Sequence, residues 1–335
     1  MRKSNFQTYL WFRGPFLAEA KFQNLFEIAL GEFCDFWHNR EIDIMGGIRR
    51  VVIAKTDPPK YLLDKVKAQR SFSPRVPSIC VHLSTPKLET DETFFIGLKD
   101  TNGKLLDWGI EYLPEFANWH IQKVIEESLL ASSLATPGAL NVLDGCFTYR
   151  RSHYSYYEGW RNGFEWNLNR ISIRNKRILK NFDLVPTFNW LSKTNVWSGS
   201  RSATKIEKAI CAFAYLGRSD SEVEALFWAM FGIEALFSDG TSGVREKLRR
   251  RVPGFISGVS AKDISRIYDY RSTMFHGGAN LRLPEYEDLD FEDRQTIKQE
   301  KLVDLARTIL ISSLQKLAAQ NAVDLVYHDT QEIIE

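Results

Sequence analysis

The feature that most restricts the fold is a succession of segments, from about residue 205 onward, whose apolar residues recur at helical spacing. These segments are KIEKAICAFAYLG, VEALFWAMFGIEALF, the basic VREKLRRRV, ISRIYDYRSTMF and KLVDLARTILISSLQKLAAQ. Two of them follow a serine with an acidic residue three positions later, Ser221 with Glu224 and Ser260 with Asp263, which is the spacing of a helix N-cap. Short connections between such helices favour an antiparallel bundle. We therefore expect an all-α helical bundle over residues 200–335.

The pattern before residue 195 is mixed. Helices are predicted at 15–37 and 116–135, strands at 46–55 and 77–86, and a hairpin at 93–110 around Asn102-Gly103. The stretch KTNVWSGSRSATK (193–205) is rich in Ser, Thr, Asn and Gly, and it is a candidate linker. The sequence therefore predicts an α+β protein, with a mixed α/β region over residues 1–195 that senses a signal, positions a ligand or regulates the bundle.

Composition and charge exclude several classes of protein. The hydrophobic fraction of 44% is sufficient for a folded core, and the net charge of +2 neither requires nor excludes nucleic acid. The four cysteines are scattered singly, without the paired spacing of a zinc site. The longest apolar stretch, LFWAMFGIEALF (226–237), is too short to span a bilayer and contains Glu234. With no signal peptide pattern at the N-terminus, we expect a cytoplasmic protein without metal, cofactor or membrane association.

The stretch YDYRSTMFHGG (268–278) contains the residues best suited to chemistry. Arg271 offers a donor fork that matches phosphate oxygens, and His276 can transfer a proton near neutral pH. Five residues of helix separate their side chains by ~140°, so the two would not share a face of an unbroken helix. Gly277-Gly278 can end the helix in a left-handed cap, which would place His276 at or beyond the last turn.

Arg271 falls on the apolar stripe of its segment, with Ile264, Ile267 and Phe275. An arginine in that position needs a partner, either Glu234 from the earlier helix or a bound phosphate. The spacing of Arg and His is by itself unspecific, because Arg75 and His82 nearly match it in a predicted strand. The alternative to catalysis is a buried Arg–Glu pair with a helix-capping histidine.

Residues 205–318 resemble the HEPN superfamily, and more narrowly the Apea-like HEPN domains, through MFGIEALFSDG and IYDYRSTMFHGG. The resemblance implies a helical bundle that acts as a metal-independent endoribonuclease and leaves 2′,3′-cyclic phosphate ends. Arg271 and His276 would be catalytic, and Glu234, Ser272 and Tyr268 would support them. It also implies a homodimer that joins two Arg–His pairs in one cleft, often in a toxin or in defence against phage, where an antitoxin or a phage-derived activator would be a partner.

Charged and aromatic stretches near this segment leave two interpretations open. The cations of the basic segment would contact an RNA backbone or form a solvated helix face, and they are Arg245, Lys247, Arg249, Arg250 and Arg251. Residues 147–177 interleave aromatic rings with arginines such as Arg174, as an RNA contact or as a half-buried layer. The acidic run 285–293 suggests a solvated loop. The alternative function is a non-catalytic dimerisation module or a nucleotide- or RNA-binding module, or a regulatory subunit of a toxin–antitoxin pair.

Overall fold

The computed structural model describes residues 4–13, 20–38, 40–44, 47–50, 52–57, 60, 64, 78–88, 122–149, 152–155, 167–168, 170–172, 174–175, 177–198, 200–219, 221–240, 242–279, 294–328 and 331–334. The chain divides into two compact units. The first comprises residues 1–129 and 139–162, and the second comprises residues 130–138 and 163–335. No helix within the described ranges combines the length and apolarity needed to cross a membrane.

The first unit is built on an antiparallel sheet. Its elements are β1 (Ser4–Arg13), α1 (Ala20–Trp37), β2 (Glu41–Ile44), β3 (Gly47–Arg50), β4 (Val52–Thr56), β5 (Ser78–Leu88), the start of α2 (residues 122–135), β6 (Asn141–Tyr149) and β7 (Ser152–Ser155). Among the described residues, five strands pair in the order β4-β5-β1-β6-β7, and β2 pairs with β3. The long β1 is central because it pairs with β5 on one side and β6 on the other.

The core of the first unit joins β1 to α1. Leu10 and Phe12 are buried, and the centroid of the Phe12 ring lies 5.2 Å from that of Phe33, with the two planes inclined by 67°. The predicted helix 15–37 and strand 77–86 are present as α1 and β5, whereas the predicted strand 46–55 is divided between β3 and β4. The predicted hairpin at 93–110 lies outside the described residues.

Glu127 in α2 gives the first unit a pH dependence. Burial raises the pKa of Glu127 from 4.5 to about 7, although the cations Lys123 and Arg40 oppose the shift. The Nζ atom of Lys123 lies 3.9 Å from Oε1 of Glu127, too far for a hydrogen bond. Because the pKa is higher in the folded protein than in the unfolded chain, protonated Glu127 stabilises the fold below about pH 4.5. That contribution is lost as the pH rises through about 7.

Glu127→Gln is therefore expected to raise the thermal unfolding midpoint at pH 8 and to leave it nearly unchanged at pH 4.5. The glutamine keeps the shape of the side chain and removes the charge that burial disfavours. Thermal unfolding of the full chain at the two pH values measures the effect. The control is Glu27→Gln, which alters an exposed carboxylate of α1. A lower midpoint of Glu127→Gln at pH 8 would contradict this account.

The second unit is mainly helical. Its elements are residues 130–138, helical residues between 167 and 174, α3 (Leu184–Lys193), α4 (Lys205–Leu216), α5 (Glu222–Phe237), α6 (Val244–Phe255), α7 (Ala261–Phe275), α8 (Arg294–Ala319), β8 (Leu325–His328) and β9 (Gln331–Ile334). The sequence predicted an all-α bundle, and this is wrong at the C-terminal end, where β8 and β9 pair antiparallel. The two strands, LVYH and QEII, have four residues each, too few for a periodic pattern to indicate a strand.

Helix caps agree with the sequence. Ser221 accepts a hydrogen bond from the Glu224 amide, and Ser260 forms a reciprocal capping box with Asp263. A further capping box begins α4, where the buried Glu207 accepts hydrogen bonds from the amides of Ala203 and Thr204. These backbone hydrogen bonds lower the pKa of Glu207. The helix starts are therefore fixed by local side-chain chemistry.

Three helices, α4, α5 and α8, meet at the centre of the second unit. Gly232 of α5 makes the approach possible, since a Cβ atom there would lie 2.6 Å from Cδ1 of Leu310 and 3.1 Å from the Cβ of Ala212. Both neighbours are fully buried. A glycine within a helix weakens it, so its position here is explained by the close packing that it permits.

The second unit begins earlier in the chain than the predicted boundary at 195–200. Residues from Gly163 onward belong to it. Trp190 of α3 donates a hydrogen bond of 2.6 Å to the carbonyl of Ala322, and Gln315 of α8 donates to the carbonyls of Leu134 and Lys180. The Ser- and Gly-rich stretch is thus a connection within the helical unit, because α3 before it packs on α8.

A buried charge network holds α8 to the residues before α3. Asp304 accepts hydrogen bonds from Arg170 at 2.7 Å, Arg174 at 2.9 Å and Arg307 at 3.3 Å. Arg307 also donates to both carboxylate oxygens of Glu222, at the start of α5. Asp304 and Arg307 are buried, so each charge depends on its partners for stabilisation.

Candidate functional site

The C-terminus of α7 places His276 just outside the helix. The helix ends at Phe275, and His276 is its C-cap residue with φ −94° and ψ 13°. Gly277 has φ 71°, and its amide donates to the carbonyl of Met274, while the Gly278 amide donates to the carbonyl of Thr273. These two bonds form a Schellman motif, which requires the left-handed conformation that glycine adopts readily. The predicted left-handed cap is confirmed, and the His276 side chain is exposed.

Arg271 lies one turn earlier, on the side of α7 that faces α5. Its Nη2 atom is 3.8 Å from Oε2 of Glu234, an ion pair too long for a hydrogen bond. Its Cζ atom lies 4.9 Å from the centre of the Phe275 ring. The Arg271 side chain is 31% exposed, so part of it reaches solvent. The predicted pairing of Arg271 with Glu234 is therefore present in a loose form.

The Arg271–Glu234 pair is incompletely satisfied. The Nε atom of Arg271 and Oε1 of Glu234 are buried, and neither has a hydrogen-bond partner among the described residues. Burial raises the pKa of Glu234, and the Arg271 charge only partly offsets this. Leaving buried polar atoms unpaired costs about 1–3 kcal/mol each, and such groups concentrate at functional positions. Because Nη2 of Arg271 lies 3.8 Å from Glu234, beyond hydrogen-bond distance, the guanidinium keeps donor capacity that an added anion could use.

The remaining predicted residues of the site are near this pair without joining it. The Ser272 carbonyl accepts from the His276 amide at 3.0 Å, and the side chains of Ser272 and Tyr268 are half-buried. Within the described part of the chain, no hydrogen bond or ion pair joins the His276 side chain to Arg271 or Glu234. One copy of the chain therefore brings Arg271 to Glu234 and leaves His276 facing solvent.

The basic helix α6 contributes fewer available cations than its sequence suggests. Arg251 is only 8% exposed, because it binds the Asp239 carboxylate at 2.6 Å and stacks over the Tyr327 ring. Lys247 donates to the Asp239 carbonyl. Arg245 and Arg249 form exposed ion pairs, with Asp269 at 2.8 Å and with Glu246 at 3.0 Å, and Arg250 is exposed.

These contacts separate the α6 cations into two groups. Arg251 and Lys247 stabilise the connection between α5 and α6, which contains Asp239. Exposed ion pairs contribute roughly 0–1 kcal/mol, so Arg245 and Arg249 exchange partners at little cost. Arg245, Arg249 and Arg250 are therefore the members of the predicted RNA-binding set that are available to a polyanion.

The other charged residues and the decoy Arg–His pair noted in the sequence do not contribute to this site within the described residues. Arg174, grouped with the possible phosphate contacts, is bound to the buried Asp304. Arg75 and the acidic run 285–293 lie outside the described residues. His82 lies within β5, where its backbone position pairs with Tyr9 of β1.

An aromatic cluster beside Arg271 was not anticipated as part of the site. It contains Tyr215 of α4, Phe227, Trp228 and Phe231 of α5, and Phe275 of α7. The sequence carried a signal for it, because α5 is apolar on nearly all faces although a bundle helix needs only one such face.

In the described ranges, no three side chains of His, Cys, Asp or Glu gather as a metal ion would require. Comparison of the chain with family models finds no match. Neither the curated proteins nor the solved structures contain a significant match to it.

Proposed function

We propose that this protein is a metal-independent endoribonuclease whose Arg271 and His276 act together in a cleft between two copies of the chain. The observation that carries the proposal is the end of α7, where a Schellman motif exposes His276 one turn beyond an arginine with unused donors. The resemblance of the sequence to HEPN domains supplies the reaction class. The same resemblance supports a toxin or defence effector, controlled by an antitoxin or a phage-derived activator.

The proposed reaction needs phosphate binding and proton transfer. The ribose 2′-oxygen attacks phosphorus, the bond to the 5′-oxygen breaks, and a 2′,3′-cyclic phosphate and a 5′-hydroxyl form. Arg271 holds the nonbridging oxygens and stabilises their developing charge. Glu234 orients Arg271 from α5. Arg245, Arg249 and Arg250 would hold flanking phosphates.

Two copies of the chain explain why His276 makes no contact with Arg271 in one copy. The step removes a proton from the 2′-hydroxyl and delivers one to the leaving 5′-oxygen, so it uses both a base and an acid. In a two-fold cleft, neutral His276 of one copy would accept the first proton and protonated His276 of the other would supply the second. Each phosphate would then lie within reach of both histidines.

The second candidate is a binding module that dimerises or holds a nucleotide without cleaving it. The absence of a direct Arg271–His276 contact among the described residues favours it. Burial of both side chains within one copy would have been its expected geometry, but both side chains reach solvent. We therefore place cleavage first.

Cleavage is expected to continue at an unchanged rate in excess EDTA, because the proposed chemistry needs no metal ion. Purified full-length protein and a labelled RNA would be incubated with and without EDTA, and the product ends identified by mass spectrometry. The expected ends are 2′,3′-cyclic phosphate and 5′-hydroxyl. A His276→Ala preparation made in parallel controls for contaminating nucleases. Strict dependence on magnesium, or products with 3′-hydroxyl ends, would argue against the mechanism.

A further inference from the structure

Five aromatic side chains form a continuous surface on α4, α5 and α7, which we call the ring surface: Tyr215, Phe227, Trp228, Phe231 and Phe275. The rings of Tyr215 and Trp228 stack with centroids 4.3 Å apart and planes 12° from parallel. Phe227 lies 4.9 Å from Trp228 and 5.7 Å from Phe275, and Phe231 lies 5.9 Å from Trp228. Each ring thus touches the next from α4 across to α7.

The ring surface is open to solvent. Tyr215 is 50% exposed, Phe231 42% and Phe275 50%, within the part of the chain that the structure describes. The large aliphatic side chains with comparable exposure are Ile28, Val185 and Val323, and they belong to other elements. A contiguous set of exposed large apolar side chains marks a binding surface, and this one is made of flat rings.

The ring surface begins at the proposed phosphate site. The Cζ atom of Arg271 lies 4.9 Å from the centre of the Phe275 ring, and His276 is the next residue after Phe275. A polynucleotide whose phosphate lies on Arg271 therefore has neighbouring bases within reach of Phe275 and Phe227. Bases stack on aromatic rings for roughly 1–3 kcal/mol each, whatever their identity.

We propose that the ring surface binds the unpaired bases of a single-stranded RNA, and that this selects unpaired over double-stranded substrates. The inference rests on the proposed RNA cleavage for the identity of its ligand. Charge complementarity supports this occupant, because the surface ends at the loosely paired cation Arg271 and carries rings suited to flat bases. In a duplex the bases are already stacked on each other and cannot lie on protein rings.

The test measures binding separately from cleavage. The probe is a labelled 2′-O-methyl oligoadenosine of about 12 nucleotides, within the usual site sizes of single-strand binders, which cannot be cleaved because its 2′-oxygen is blocked. The Tyr215→Ala/Phe231→Ala double variant of the full chain is expected to bind it at least about tenfold more weakly than wild type. Tyr215→Phe, which keeps the ring, is expected to bind as wild type does. A duplex of the same length is expected to bind more weakly and to show no dependence on the rings.

The control is Val185→Ala/Val323→Ala, which truncates two exposed apolar side chains outside the ring surface. It is expected to leave the affinity for the strand unchanged. Equal affinity of wild type and the Tyr215→Ala/Phe231→Ala variant for the single strand would overturn the proposal. Conversion of a dimer to a monomer by that variant, with unchanged strand affinity, would overturn it in favour of a second copy as the occupant. Ring-dependent binding without any cleavage of RNA would support the ring surface as a binding site and contradict the proposed nuclease activity.

Discussion

His276→Ala is expected to lower the rate of RNA cleavage by about 10²–10⁴-fold, the usual contribution of a general acid or base. Because both copies of the homodimer carry the substitution, it removes both the base and the acid of the proposed cleft, so the factor for one group is the minimum expected loss. The substitution should leave the fold intact, because the His276 side chain is exposed and the Schellman motif is made by backbone groups of Gly277 and Gly278. The rate would be measured with enzyme in excess over a labelled RNA, beside a thermal unfolding curve.

The matched control for this variant is His38→Ala, which removes another exposed histidine, located at the end of α1. It is expected to retain the wild-type rate. Expression of wild type and His276→Ala in cells, followed by mapping of RNA ends, extends the test to natural substrates. Cleavage by His276→Ala at the wild-type rate would refute the assignment of this residue and favour the binding module.

Asp304→Asn is expected to destabilise the second unit by about 3–5 kcal/mol, as breaking a buried ion pair does. The substitution keeps the side-chain volume and removes the charge that binds Arg170, Arg174 and Arg307. Arg307 is buried and would retain only Glu222 as a charged partner among the residues described here. Such a loss is a large part of the ~5–15 kcal/mol that stabilises a typical domain.

Hydrogen exchange of the α8 backbone amides would measure this effect within the second unit itself. Because two compact units are present, a single unfolding midpoint would mix their contributions. The control is Asp269→Asn, which breaks the exposed ion pair with Arg245 and is expected to cost less than about 1 kcal/mol. Similar amide protection in Asp304→Asn and Asp269→Asn would show that the network contributes little to stability.

The ends of the helices could be predicted from the sequence, because the residue types at each end fix them. Ser260 and Asp263 cap α7, and Gly277 ends it, as residue types and spacing predicted. The position of Arg271 on the apolar stripe predicted that it needs a partner, and Glu234, one of the two candidates, lies 3.8 Å away. The position of α3 could not be predicted from the sequence, because its membership of the second unit depends on a hydrogen bond from Trp190 to the distant carbonyl of Ala322.

The same distinction applies to the candidate site. The sequence by itself determined the helix ends and the left-handed residue after His276, since these follow from capping residues or from a glycine at a helix end. It placed Arg271 on the apolar stripe and left its partner open between Glu234 and a phosphate. Only the tertiary structure decided that Arg251 pairs with Asp239 and that Arg174 pairs with Asp304. It also decided that the rings of α4, α5 and α7 pack together beside Arg271. These contacts join residues far apart in the chain, and no local pattern specifies which distant side chain will neutralise a charge or extend an exposed ring.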